Sequence, residues 1–140
     1  SSTANENTLF DGLIHPNEAV RYWAGQGLYN LDKKIKKSTS QRLKQKLNDS
    51  IVNVSISAAR ALLKHRSSSN KIFKILSQGL EAENEWTRLQ TALVLDDFQD
   101  ALRALESTAQ NHINSDPNKY VVRVLNHGLN VLNGTMNKVK

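Results

Sequence analysis

Residues 15–28 read His15-Pro16-Asn17-Glu18-Ala19-Val20-Arg21-Tyr22-Trp23-Ala24-Gly25-Gln26-Gly27-Leu28. Val20, Ala24, Gly27 and Leu28, continued by Leu31, fall on one face of a 3.6-residue period. Asn17 is a favoured N-cap, and Glu18 stands where the helix dipole favours negative charge. The stretch therefore predicts a helix over 17–31. Its apolar face is built from small residues. Gly25 and Gly27 each cost about 1 kcal/mol relative to alanine in a helix interior. Close approach of a neighbouring helix offsets such a cost, so both glycines are assigned to packing.

The same pattern extends along the chain. Val54, Ala58, Ala61 and Leu62 form a stripe, as do Ile72, Ile75, Leu76, Gly79 and Leu80. Leu102, Leu105, Ala109 and Ile113 form another, and Val121, Leu125, Gly128, Leu129 and Leu132 a further one. The alternation expected of strands is missing, and six glycines and two prolines leave few turns. Asn84, Ser50 and Asp116 (followed by Pro117) are expected caps. Linkers are expected at Asp32–Ser38, His65–Asn70 and Asn114–Pro117. About eight helices result, at 4–14, 17–31, 39–49, 51–64, 69–82, 84–97, 99–112 and 118–133.

These helices pair, and the pairs recur. Arg21 and Arg88 are each followed seven residues later by a leucine, Leu28 and Leu95. Val20, Val54, Thr87 and Val122 mark successive second helices at spacings of 34, 33 and about 35 residues, with Arg123 following Val122 as Arg21 follows Val20. A two-helix unit of that length is a solenoid repeat, which buries its apolar face by stacking on its neighbours. The expected fold is an all-α solenoid in one domain over 1–140, built from four helix pairs at 4–31, 39–64, 69–97 and 99–133.

Composition excludes several classes. With 140 residues there is room for little beyond one domain. No cysteine is present, which removes disulfides, thiolate metal ligation and thiol catalysis. No apolar run approaches the ~20 residues of a membrane helix. The start, Ser1-Ser2-Thr3-Ala4-Asn5, suggests a mature product, an excised domain or a fragment. The formal charge of +6 is unevenly placed. Residues 1–70 hold eleven Lys or Arg against five Asp or Glu, and residues 71–140 hold eight of each. Lys33, Lys34, Lys36, Lys37, Arg42, Lys44 and Lys46 follow one another with no acid between them. Such a run attracts nucleic acid, an anionic surface or a sulfated polysaccharide, or else is a solvated face. No aromatic is interleaved to stack bases, which argues against nucleic acid.

Three segments resemble the HEAT-like region that follows the catalytic domain in many bacterial sulfatases. They are His15 to Leu28 as quoted above, then Asn84-Glu85-Trp86-Thr87-Arg88-Leu89-Gln90-Thr91-Ala92-Leu93-Val94-Leu95-Asp96, then Tyr120-Val121-Val122-Arg123-Val124-Leu125-Asn126-His127-Gly128-Leu129. Arg-Tyr-Trp-Ala and Arg-Leu-Gln-x-Ala-Leu are the specific parts, while Ser55 departs from the pattern by replacing the arginine of the second repeat. The resemblance implies a parent that hydrolyses sulfate esters with a formylglycine nucleophile and calcium. Both would belong to the parent's catalytic domain, exported to the periplasm or beyond. The formylglycine motif Cys/Ser-x-Pro-x-Arg is absent here. Ser115-Asp116-Pro117-Asn118-Lys119 comes nearest, with lysine in place of arginine. The resemblance thus implies a non-catalytic appendage with no cofactor of its own. Its partner would be a sulfatase domain of the same polypeptide or another subunit. A free-standing protein-binding adaptor is the alternative, with a basic nucleic-acid-binding repeat protein after it.

The candidate interaction surface comprises Arg21, Trp23, Arg88 and Arg123, together with Lys33, Lys34, Lys36 and Lys37. The arginines recur near the starts of second helices, where a ladder of them can bind neighbouring acids or carbonyls, or an anion. Glu18, Asp49, Glu85 and Asp116 are the acids within expectation. Tyr22, Trp86, Gly25 and Gly27 are read as structural, and inter-helix packing is the expected role of both Trp23 and Trp86. Asp96, Asp97 and Asp100 are read as a polar helix junction around Phe98, the alternative being paired carboxylates on one face. His15, His65, His112 and His127 show no metal-ligand spacing. Three glycosylation triplets, at Asn48, Asn53 and Asn133, are weak signals.

Overall fold

A computed structural model describes the backbone of residues 2–134 and the side chains of residues 6–134. Thr135, the last residue of the Asn133 triplet, lies outside them. The described residues are all-helical. The helices are α1 (Ser2–Gly12), α2 (Glu18–Asn30), α3 (Lys37–Lys46), α4 (Val52–Lys64), α5 (Asn70–Leu80), α6 (Glu85–Asp97), α7 (Gln99–Ala104), α8 (Glu106–Ser115) and α9 (Lys119–Leu132). Among these residues no helix is long and apolar enough to cross a membrane. The chain divides into two compact units, residues 1–75 and 76–140, with α5 running across the division.

In the first unit α1 packs on α2, α3 packs on α4, and α2 lies along α4. Leu28, Leu43, Ile56 and Leu62 are fully buried there. The approach of α2 to α4 is set at Gly25. A Cβ on Gly25 would strike the Ser57 hydroxyl and come within 3.3 Å of the Ser57 carbonyl carbon. Ser57 Oγ in turn donates to the Tyr22 carbonyl at 2.9 Å. Gly27 faces α1 instead, where a Cβ would lie 2.5 Å from the Leu9 Cδ2 methyl. Both glycines therefore stand at close helix contacts, one against backbone and one against a flexible side chain.

In the second unit α6 lies along α9, and α7 and α8 both pack on α9. Leu95, Leu102, Ala109 and Leu125 form its buried centre. The helix expected over 99–112 is two helices. Leu105 leaves the helical region at φ −116, ψ 22, and its N–H reaches back to the carbonyls of both Ala101 and Leu102. Neither glycine nor proline marks this bend in the sequence. With it, Leu102 on α7 and Ala109 on α8 are both buried.

Two expected caps are corrected. Asn118, not Asp116, caps α9, accepting from the N–H groups of Tyr120 and Val121. Ile51, not Ser50, is the cap residue of α4, and Asp49 Oδ1 accepts its N–H at 2.9 Å. Asn17 and Asn84 cap α2 and α6 as the sequence predicts. The cap positions of α2, α4, α6 and α9 are thus 17, 51, 84 and 118. This register aligns Leu28, Leu62, Leu95 and Leu129, all buried, eleven residues after each cap. It also places Val121, not Val122, opposite Val20, so Arg123 stands one position beyond the place of Arg21 and Arg88.

Candidate functional site

Arg21 and Arg88 make the same set of contacts. Arg21 donates through Nε to Asp49 Oδ2 at 2.9 Å and through Nη2 to Asp49 Oδ1 at 3.2 Å. Its Nη1 reaches the carbonyls of His15 and Pro16, each at 3.0 Å. Arg88 repeats this with Asp116 at 2.9 and 3.2 Å, and with the carbonyls of Ala82 and Glu83 at 3.0 and 2.8 Å. Both aspartates are nearly inaccessible, with side-chain exposures of 3% and 1%. Each also accepts the N–H two residues on, of Ile51 and of Asn118, which pins the turn before the next helix. Burial pushes the Asp49 carboxyl up. The Arg21 guanidinium, the Ile51 N–H and Lys46 outweigh it and hold the group below its usual 3.8. Asp116 is held down likewise: burial raises it, while Arg88, the Asn118 N–H and His112 lower it further.

Ser55 stands at the arginine position of α4. Its hydroxyl donates to the Asp49 carbonyl six residues back, the carbonyl that Arg21 and Arg88 reach in their own turns. Arg123 makes no such clamp. It is exposed and lies over the Tyr120 ring at 5.6 Å. The segment from Ser115 to Lys119 is fully used as a helix junction, with Asp116 held by Arg88 and Asn118 capping α9.

The basic run is partly neutralised from a distance. Glu6 on α1 is buried and accepts the Lys36 N–H and the Thr39 hydroxyl, each at 2.8 Å, with Lys33 Nζ at 3.7 Å. Burial raises the Glu6 carboxyl, but these partners together hold it below its usual 4.5. Lys36 Nζ donates to Asn7, Lys46 pairs with Asp49 at 3.3 Å, and Arg42 stacks on Phe10 at 3.7 Å. Lys34 and Lys37 are exposed and have no acidic partner among the described residues. With Lys33 they line a groove of about 770 Å³, closed on its other side by Lys64, His65 and Arg66. Sequence reasoning missed these last three as site residues, because Lys64 reads as the end of a helix and His65 and Arg66 as a linker.

Inter-helix packing is not where the structure puts the two indoles. Trp23 is 64% exposed and Trp86 65%. Tyr120, two residues after its cap as Trp86 is after its own, is 60% exposed. Tyr22 is half-buried and meets the Trp23 ring edge-on, with centroids 5.1 Å apart. Burial pushes the Tyr22 phenol up, against the opposing charge of Arg60.

The remaining polar residues serve local joints. Phe98 leaves helical geometry between α6 and α7, so Asp96 and Asp100 do not share one helix. Asp96 pairs with His127 at 2.8 Å. His112 bridges Asp116 at 3.2 Å and Glu81 at 2.6 Å, and His65 Nε2 contacts the Leu28 carbonyl at 2.8 Å. His15 accepts the Asn17 N–H at 3.0 Å. Among the described residues no three His, Asp or Glu side chains cluster as a metal site would need. No protein-family model matches the sequence, and no curated protein matches it.

Proposed function

We propose that the chain is a non-catalytic scaffold of four HEAT-like helix pairs that holds a protein partner. The observation that carries the reading is the recurrence of one clamp, Arg21–Asp49 and Arg88–Asp116, 67 residues apart, on helices capped at 17, 51, 84 and 118. Equal spacing of second helices with the same turn-to-helix lock is what stacked repeats require. The polar groups buried here hold joints together, which suits a support better than a reaction centre. Trp23 and Trp86 are the anchors of contact, since exposed indoles on a rigid helix make strong interface residues.

The partner in this reading is a sulfatase catalytic domain, of the same polypeptide or of another subunit. Its support is the resemblance of residues 15–28, 84–96 and 120–129 to the sulfatase-linked region. The test is the native coding sequence on the N-terminal side of Ser1. A continuous frame carrying Cys/Ser-x-Pro-x-Arg supports the assignment. A start codon immediately before Ser1, with no sulfatase co-purifying with the native chain, sinks it and leaves the free-standing adaptor.

A further inference from the structure

The groove bounded by Lys33, Lys34, Lys37, Lys64 and Arg66 gathers five cations along one opening of about 770 Å³. That volume lies within the range of small-molecule sites. Leu31 and Ile35, both buried, belong to the same wall. Asp32, the lone acid of the lining, pairs with Lys64 at 3.6 Å, and Lys64 also donates to the Tyr29 carbonyl at 2.8 Å. Lys33 lies 3.7 Å from Glu6, which leaves Lys34, Lys37 and Arg66 without an acidic partner among the described residues.

Three features set this groove apart from an ordinary solvated surface. First, Lys37 occupies the first turn of α3, where the helix dipole disfavours a cation; the acid at that end is Glu6 of α1, buried against the Lys36 N–H and the Thr39 hydroxyl. Second, Arg66 ends α4 in the left-handed region at φ 64, a place that favours glycine. The turn itself is well made, with Ser67 N–H on the Leu62 carbonyl at 2.8 Å and Arg66 N–H on the Leu63 carbonyl at 3.1 Å. Third, the repeat does not impose the charges. Sixty-seven positions on, where the clamp recurs, the five cations become Asp100, Ala101, Ala104, Val131 and Asn133.

We propose that this groove binds a small, multiply charged anion bearing phosphate or sulfate ester groups. Lys34, Lys37 and Arg66, which line one groove without an acidic partner among the described residues, each carry three or more donors and match tetrahedral oxyanions through charge-assisted hydrogen bonds. The limited volume and the lack of an aromatic in the lining favour a compact anion over a nucleic-acid strand. This inference stands independently of the partner proposed above.

The test is titration of the full chain with inorganic triphosphate and, separately, with a disulfated disaccharide, followed by amide NMR at low salt. Saturable shifts confined to residues 31–37 and 64–66 are expected with at least one of them, and the stronger binder identifies the oxyanion, phosphate or sulfate. The double variant Lys34→Gln/Lys37→Gln should weaken binding by about tenfold or more, corresponding to two lost charge-assisted contacts. Lys44→Gln, on the same helix but outside the groove, should leave it unchanged. The same folded spectrum for each variant keeps the comparison valid, and Arg66→Gly supplies a second weakening variant without helix disruption. Absence of saturable shifts with both ligands, or equal weakening by Lys44→Gln, overturns the proposal. Tight binding of duplex DNA without binding of either small anion also overturns it.

Discussion

Arg88 and Asp116 meet through two N–H···O bonds, at 2.9 and 3.2 Å, and the same guanidinium closes on the carbonyls of Ala82 and Glu83. One side chain thus ties the turn that enters α6 to the turn that enters α9. Arg21 does the same with Asp49. Helices so joined are fixed in register at their N-terminal ends, which apolar packing alone, being non-directional, does not specify.

The two glycines of α2 should respond differently to alanine. Gly25→Ala drives a methyl into Ser57 and its backbone and disturbs the Ser57–Tyr22 bond, so stability should fall by about 2 kcal/mol. Gly27→Ala meets the end of Leu9, which can rotate away, and gains helix propensity, so the change should stay within about 1 kcal/mol. Urea denaturation of the two variants measures the contrast, and equal losses would contradict the assigned approach of α2 to α4.

Arg66→Gly should raise stability by about 1 kcal/mol, since only the left-handed penalty is removed and the turn's hydrogen bonds are backbone ones. A thermal melt that shows a loss instead would mean that the arginine side chain itself holds α4 in place.

Asp49, Asp116 and Glu6 all have carboxyls held below their usual values in the fold. A depressed carboxylate contributes stability that is fully present above its unfolded value and is lost as pH falls through its folded value. The melting temperature should therefore be insensitive to these groups between pH 7 and pH 5 and fall below about pH 4. In Arg88→Leu the acid sensitivity should shrink, because Asp116 loses the partner that lowers it most.

Trp23→Ser and Trp86→Ser should each cost less than about 1 kcal/mol, because the indoles are mostly exposed. A loss of 3 kcal/mol or more, the scale of a buried tryptophan, would return them to inter-helix packing.

Much of the helical content is legible in the sequence, because apolar residues recur with helical period and Asn17 and Asn84 mark the starts of α2 and α6. The small residues Gly25 and Gly27 announce a close approach, although not which helix approaches. The break at Leu105 is not legible, for it sits amid good helix formers with no glycine or proline. Asp116 misleads because aspartate before proline is an N-cap signature, yet this side chain is spent on Arg88 and the cap passes to Asn118. Trp23 and Trp86 mislead in the opposite sense: large aromatics favour burial on average, and only the position of each on its helix face decides exposure. The groove escapes because its two walls lie about thirty residues apart and Arg66 occupies a left-handed turn that the sequence does not mark.

The most direct test of the repeated clamp is a pair of double-mutant cycles, Arg21→Ala with Asp49→Ala and Arg88→Ala with Asp116→Ala, read by urea denaturation. Coupling of at least about 1.5 kcal/mol is expected in each cycle, alike to within about 0.5 kcal/mol. Additive losses in both cycles, or strong coupling in one and none in the other, would contradict it.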